Sequence, residues 1–487
     1  VIRSGRRALR ALLALAALGC GGAPPRGSAT EGPALRYAMS VSPGLDTMTV
    51  EVCPGTLPLP RALVAIHDEA PRHLRAAAIT MGGDEVARLP LGPRLPLDDA
   101  PTGACARYTI SLADCGRSLS QADCARIGDD VFAPTSAWLF APDVRQLAAH
   151  YALRASLPDG VSLTPAWPRV DEGYELDDRA FAFVTYLVIG APARRTVPVP
   201  GACLDVATLD GRLDATEEAR TRWLRTAAEA SARVTGRAPF ERATVLVVPT
   251  LDVPGMPVVF GVAGRGMRPT VTLFVSAHAR EAELVPDWTA IHELSHLLTG
   301  YVDGEDVWLS EGLATYYEEV LRARAGLFDE THAWAALTSG FARGRAGASD
   351  RPLRDACRAM HVTHGYTHVY WAGAAIALLA DVAYRREGSS LDEAVVRAAA
   401  LRDRHPTGAE LVRAMDGRDA GPFARVVARW LDDSAFPDVD DALAWLGVAP
   451  GVDGIRLIDG APGAAARTSL MNAAPPLASN PSDCDDE

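Results

Sequence analysis

No stretch constrains this chain more than His292-Glu293-Leu294-Ser295-His296, which is followed, with fourteen residues between, by Glu311 in Trp308-Leu309-Ser310-Glu311-Gly312-Leu313-Ala314. Four residues of α-helix turn through about 400°, so His292 and His296 project from one face a single turn apart and can grip one metal ion. Two imidazoles and a carboxylate form the donor set of a zinc site that keeps a position open for water, and Glu293 beside it can take that water's proton. The apolar residues Leu284, Val285, Trp288, Ile291, Leu294, Leu297 and Leu298 predict a mostly buried helix over 284–300. Two unpaired histidines in such a core are costly, and coordination relieves that cost.

After His296 the chain turns at Gly300 and runs through Asp303-Gly304-Glu305-Asp306, so a helix-loop-helix carries the ligands. Asp303 and Asp306 are nearer in sequence but belong to a polar turn. Glu311 opens an apolar helix containing Leu313, Ala314, Tyr316, Tyr317, Val320 and Leu321. A carboxylate on its packed side needs a partner, which makes Glu311 the favoured third ligand. Glu318, two turns along the same face, is placed to hydrogen-bond a ligating histidine; the competing reading is a surface carboxylate beside Glu319. The position six residues past His296 is Val302, which cannot bind metal and excludes the metzincin pattern.

These residues resemble the gluzincin metallopeptidases, in which HExxH is followed on a later helix by a ligating glutamate inside W-x-x-E-G-x-(A/T)-x-Y; here that block is Trp308 to Tyr316. Tyr370-Trp371-Ala372-Gly373-Ala374, followed by Ile376, Leu378, Leu379 and Asp381, resembles the Y-x-K-G-A helix of the aminopeptidase N and glycyl aminopeptidase families. The resemblance implies that Tyr370 hydrogen-bonds the tetrahedral oxyanion. Two other readings stand beside it: a helix tyrosine capping a core, and an oxyanion role for His361, His364 or His368, of which His364 and His368 have the spacing of one helix face. The stretch Gly388 to Glu393, then Gly417-Arg418-Asp419, Trp430 and Leu446-Gly447, is similar to the helical region that follows catalysis in the glycyl aminopeptidase family, and favours it.

The chain departs from that pattern in three places. The Gly-rich strand upstream of the catalytic helix, Gly261 to Met267, is followed by Arg268 where the families carry a glutamate that holds the substrate's amino end. The lysine of Y-x-K-G-A is Ala372, and the spacing to Glu311 is shorter than in either family. The stretch after Gly447, short and rich in Gly, Ala and Pro, is not expected to form the PDZ module that commonly ends glycyl aminopeptidases.

The opening Arg3, Arg6, Arg7 and Arg10, the apolar run Ala11 to Leu18 and then Gly19-Cys20 have the sections of a secretory signal, too short to span a membrane. Ala17-Leu18-Gly19-Cys20 resembles a bacterial lipoprotein box, implying acylation of Cys20 after removal of residues 1–19; an ordinary signal peptide cut nearby is the alternative. Residues 20–33 read as a flexible tether. The chain is thus expected to be an exported lipoprotein of the outer membrane, held there through the N-terminal lipid alone. Five of the seven remaining cysteines precede residue 204, which predicts one or two disulfides in the N-terminal domain, with Cys115–Cys124 a local pair. A net charge of −13 argues against a nucleic-acid partner, and the absence of lysine excludes lysine-based catalysis.

At 487 residues and 48% apolar content the chain can bury more than one core. Short alternating runs punctuated by Pro, Gly and Asp predict a β-rich domain over 34–196. Periodicity turns helical over 216–234. Ala243 to Val248 and Val271 to Val275 read as strands of a small sheet beneath the catalytic helix. The expected architecture is α+β: the β-rich domain, a thermolysin-like catalytic domain over 197–385, a mostly helical region over 386–450, and a disordered tail over 451–487. The expected function is zinc-dependent hydrolysis of a peptide or protein substrate. Two alternatives remain: an endopeptidase, and a non-catalytic peptide- or glycan-binding lipoprotein that keeps the fold.

Overall fold

The computed structural model describes residues 32–487 apart from 117–122, 145–148, 166, 171–172, 177, 182–183, 266–267, 303, 452–453 and 485–487. Cys20, the expected signal sequence, most of the tether and Asp303 lie outside the described residues.

The strand Leu35–Val41 alternates strictly between buried and exposed side chains, the period-two pattern that its sequence dictates. It pairs antiparallel with Thr47–Pro54 and parallel with Tyr151–Ser156 inside an eight-stranded sheet. The Cys53–Cys105 disulfide ties Thr47–Pro54 to its neighbour Cys105–Ser111, and Cys115–Cys124 forms the expected local pair. A separate four-stranded sheet runs in the order Ser162–Thr164, Tyr186–Gly190, Asp130–Pro134, Ala125–Ile127. Its Phe132, Tyr186 and Val188 pack on Ala207, Leu246, Val248 and Phe274 of the next sheet, so the two domains share a small core.

That next sheet has five strands in the order Ala193–Val199, Ala202–Thr208, Arg242–Thr250, Pro269–Ser276, Val258–Arg265. The central three are parallel and the outer two antiparallel to their neighbours. The strand Ala193–Val199 belongs wholly to this sheet, so the domain boundary falls between Gly190 and Ala193 rather than at 196. The helix Glu217–Ala232 makes the crossover between parallel strands; Thr216 caps it by accepting the Ala219 amide, with Glu217 and Glu218 in its first turn. This helix and the one carrying His292 cover the sheet through Trp223, Ile291 and Leu294.

The helices Val307–Arg324 and Tyr366–Arg386 cross where Gly312 meets Gly373, and a Cβ at either position would overlap the backbone of the other helix. This close approach brings the Glu311 helix against the Tyr370 helix. The ring of Trp371 fills the space left by Gly340 and Gly344 of Glu330–Ala346. Asp381 ends the apolar run of the long helix: buried there, it accepts hydrogen bonds from Tyr316 Oη (2.7 Å), Arg385 Nε (3.0 Å) and the Leu391 amide (3.0 Å). No helix among the described residues is long and apolar enough to cross a membrane.

The tail expected to be disordered is instead built into the molecule. Val448–Gly451 and Gly454–Leu457 form a hairpin, and Ala464–Asn472 is a helix whose Leu470 and Met471 are fully buried. Arg467 inside that helix pairs with Glu330, and Cys484 forms a disulfide with Cys203 at the start of the catalytic sheet.

Candidate metal centre

The first helix of the site is shorter than its apolar pattern predicts, running over Thr289–Ser295 and passing into a 3-10 turn at His296–Leu298. Asp287 starts it by accepting the Thr289 amide at 2.8 Å. His292 and His296 are both buried, their rings 4.8 Å apart. Trp288, expected among the buried apolar residues, is 42% exposed, because it lies one turn before His292 on the same face and sets its ring against that imidazole at 5.5 Å.

Glu311 comes from the second helix, its side chain still 16% exposed, and its Oε2 lies 3.4 Å from His292 Nε2 and 3.5 Å from His296 Nε2. Donor atoms of the three residues all fall within 4.8 Å of one another. Tetrahedral ligands at about 2.0–2.1 Å from a zinc ion are about 3.4 Å apart. The spacing therefore fits one such ion between them. Glu318 Oε2 accepts from His292 Nδ1 at 2.7 Å, which directs the Nε2 lone pair toward Glu311; Ser310 Oγ lies 3.3 Å from His296 Nδ1. Burial works to lower the pKa of His292, but its hydrogen bonds to the Glu311 and Glu318 carboxylates outweigh it and hold the pKa well above the ordinary value. Burial would raise Glu311, yet the charge of His296 and the bonds from both imidazoles hold it well below the carboxylate range.

Glu293 is buried beside this centre. It lies against Gly261 of the edge strand, where a Cβ would come within 2.6 Å of its Cγ. The missing side chain is what leaves room for the carboxylate. Tyr370 stacks its ring on His292 at 6.2 Å and an interplanar angle of 16°, and its hydroxyl bonds Glu311. Burial, then the charges of Glu311 and Glu293, push its pKa far up, so it stays a protonated donor.

Other sequence-based readings resolve as follows. Asp306 accepts the Gly408 amide at 2.8 Å and takes no part in the centre. Glu319 is buried, not superficial, and ion-paired with Arg322, whose guanidinium also reaches the Pro286 carbonyl. His364 and His368 do not share a helix face: His364 closes Leu353–Thr363 in the left-handed conformation, while His368 is buried in the next helix, bonded to the Gly344 carbonyl. Cys53, Cys105 and Cys124, near Glu51 and His73–Asp123, are held in disulfides and cannot ligate. Two site residues were not singled out from sequence. Asp287 looks like any helix-start carboxylate, and Tyr186 reaches Glu293 from the other domain, where the charge of that carboxylate adds to burial in raising its pKa.

Fold and site together are similar to those of the gluzincin zinc metallopeptidases. Within that class, residues 292–378 match the model of the M61 glycyl aminopeptidase family, a span that holds His292, His296, Glu311 and Tyr370. The fold is similar to that of an aminopeptidase N family protein from Idiomarina loihiensis, at 15% identity over 85% of this chain and 78% of that one, with a TM-score of 0.64. It is also similar to an M1 zinc metallopeptidase from Deinococcus radiodurans, at 19% identity over 84% and 95% of the two chains and a TM-score of 0.55. A mutant of the latter has been solved with a tyrosine-serine-alanine substrate, at 18% identity over 84% and 96% and a TM-score of 0.55. Comparison with the curated proteins finds no match.

Proposed function

We propose that this chain hydrolyses peptide bonds next to a free amino end, with His292, His296 and Glu311 as zinc ligands, Glu293 as general base and acid, and Tyr370 as oxyanion donor. The observation that carries this reading is the convergence of two imidazole Nε2 atoms on one carboxylate oxygen at 3.4 and 3.5 Å. A bound zinc ion supplies an acidified water and an electrophile for the scissile carbonyl. Glu293 accepts the water's proton as the carbonyl is attacked, then returns it to the departing amine. The Tyr370 hydroxyl leaves Glu311 and donates to the developing oxyanion, a contact of about 3–4 kcal/mol where such donors have been removed. Glu318 keeps His292 in the tautomer that ligation needs.

An endopeptidase reading has its own support: Val258–Arg265, the edge strand along which a peptide would lie, carries no carboxylate for a substrate's amine. The proposal also includes export, acylation of Cys20 and attachment to the outer membrane through that lipid; its support is the Ala17-Leu18-Gly19-Cys20 sequence. Labelled fatty acid should be incorporated by the wild type and not by Cys20→Ser.

The deciding experiment measures zinc content and cleavage of a mixed library of free and amino-blocked peptides, beside Glu293→Gln. Stoichiometric zinc in both, with cleavage in the wild type reduced at least 100-fold in the variant, is expected. Cleavage of blocked peptides at internal bonds would replace the aminopeptidase with the endopeptidase. Zinc without any cleavage would favour a binding protein that keeps the fold.

A further inference from the structure

Among the Phe, Tyr and Trp rings of the described residues, three are 36% exposed or more: Phe260 (36%), Tyr366 (37%) and Trp288 (42%). Trp288 and Tyr366 border the candidate metal centre. Trp288 sets its edge against His292 at 5.5 Å. Tyr366 meets Tyr370 edge-on at 6.4 Å, and Tyr370 stacks on His292. Phe260, next to the Gly261 against which Glu293 and Thr289 pack, points to the opposite face of its strand and leans on Phe274 at 5.9 Å. Both helices of the site repeat one device: the face that carries the chemistry, at His292 or Tyr370, continues one turn earlier as an exposed ring, at Trp288 or Tyr366. Single exposed apolar residues need no explanation, but two of the three exposed Phe, Tyr and Trp rings of the described residues standing at one centre do.

We propose that Trp288, with Tyr366, forms a subsite for a large uncharged side chain, aromatic or branched aliphatic, next to the scissile bond. This deepens the peptidase reading and rests on it. Trp288 determines specificity in this scheme: its indole touches the ligand imidazole on one side and leaves nearly half its surface open, so substrate side chains stack on it within reach of the metal centre. The preference runs against glycine, whose lack of a side chain leaves these rings wet.

The test compares matched peptides bearing Phe, Leu, Gly, Asp or Arg beside the cleaved bond, cut by the zinc-loaded chain, by Trp288→Ala and by Trp288→Phe. Phe and Leu peptides are expected to show kcat/KM at least tenfold above Gly. In Trp288→Ala that ratio falls at least fivefold, mainly through KM, while Trp288→Phe keeps most of it and bound zinc stays stoichiometric. A ratio unchanged in Trp288→Ala, or a wild type that favours Gly, Asp or Arg, overturns the subsite. If no peptide is cut, the peptidase reading has failed and calorimetry decides the subsite alone. Phenylalanine hydroxamate binding tenfold tighter than glycine hydroxamate, with the difference lost in Trp288→Ala, supports it; equal binding overturns it.

Discussion

Glu318 shows how much of the site lies behind the ligands. Its carboxylate is buried, bonded to His292, and followed one residue on by the buried Glu319–Arg322 pair. Replacing Glu318 with Gln keeps the shape and removes the charge. Zinc affinity, read by competition with a chelator, is expected to fall 10- to 100-fold, while an unchanged affinity would make Glu318 a packing residue only. Asp287 gives the site a pH signature. Burial pushes it from 3.8 up to about 6, against the Thr289 amide that holds it down. A folded-state pKa above the unfolded one means that this group favours folding most below about pH 4, and that the benefit is lost as pH rises through 6. The full effect is roughly 3 kcal/mol, of which about 1 kcal/mol falls between pH 5 and 7.5. Urea denaturation of the zinc-free protein should show Asp287→Asn gaining that much on the wild type across this range; parallel pH profiles would refute the assignment. The ligand residues were legible because HExxH and the later glutamate are local patterns with a fixed helical geometry. Gly261 was visible only as one glycine of a run, since its purpose, room for Glu293, exists across two elements far apart in sequence.

At the scale of elements, the close crossing of Val307–Arg324 and Tyr366–Arg386 sets the distance between Glu311 and Tyr370. Gly373→Ala should push these helices apart. Because Gly373 lies on the same helix as Tyr370, less than one turn away, kcat is expected to fall at least tenfold, and Tm to drop as overpacking of this kind costs about 1–3 kcal/mol. Normal kcat with lowered Tm would show that the crossing matters for folding alone. Sequence reading found both helices and the glycine but not their contact, since a pattern along one helix says nothing of which partner it faces. It also overextended the catalytic helix. The apolar run 284–300 is continuous in composition, but the backbone changes to a 3-10 turn at His296, and Trp288 belongs to the open face. Periodicity counts apolar residues without knowing which of them a site keeps uncovered.

For the whole molecule, the α+β class, β-rich first and helical later, followed from the change of period between 34–196 and the residues after it, and the comparisons agree with it. The ordered tail did not follow, because its anchors are single long-range contacts: Arg467 to Glu330 and Cys203 to Cys484, the latter 281 residues apart in sequence. A cross-link over so long a loop removes much of the unfolded chain's freedom. Cys484→Ser should cost about 2–5 kcal/mol, measured by denaturation under non-reducing conditions. Reductant is no substitute for this variant, since it would also open Cys53–Cys105 and Cys115–Cys124; no loss in Cys484→Ser would place the tail's stability in Leu470, Met471 and Arg467. That bond also bears on how damage would look. Nearly every loop of the catalytic half lies between the two cysteines, so a single nick there, including one made by a second molecule of a peptide-cleaving protein, leaves both pieces covalently joined. A nicked population would keep the mass of one intact chain, apart from one added water, until the disulfide is reduced.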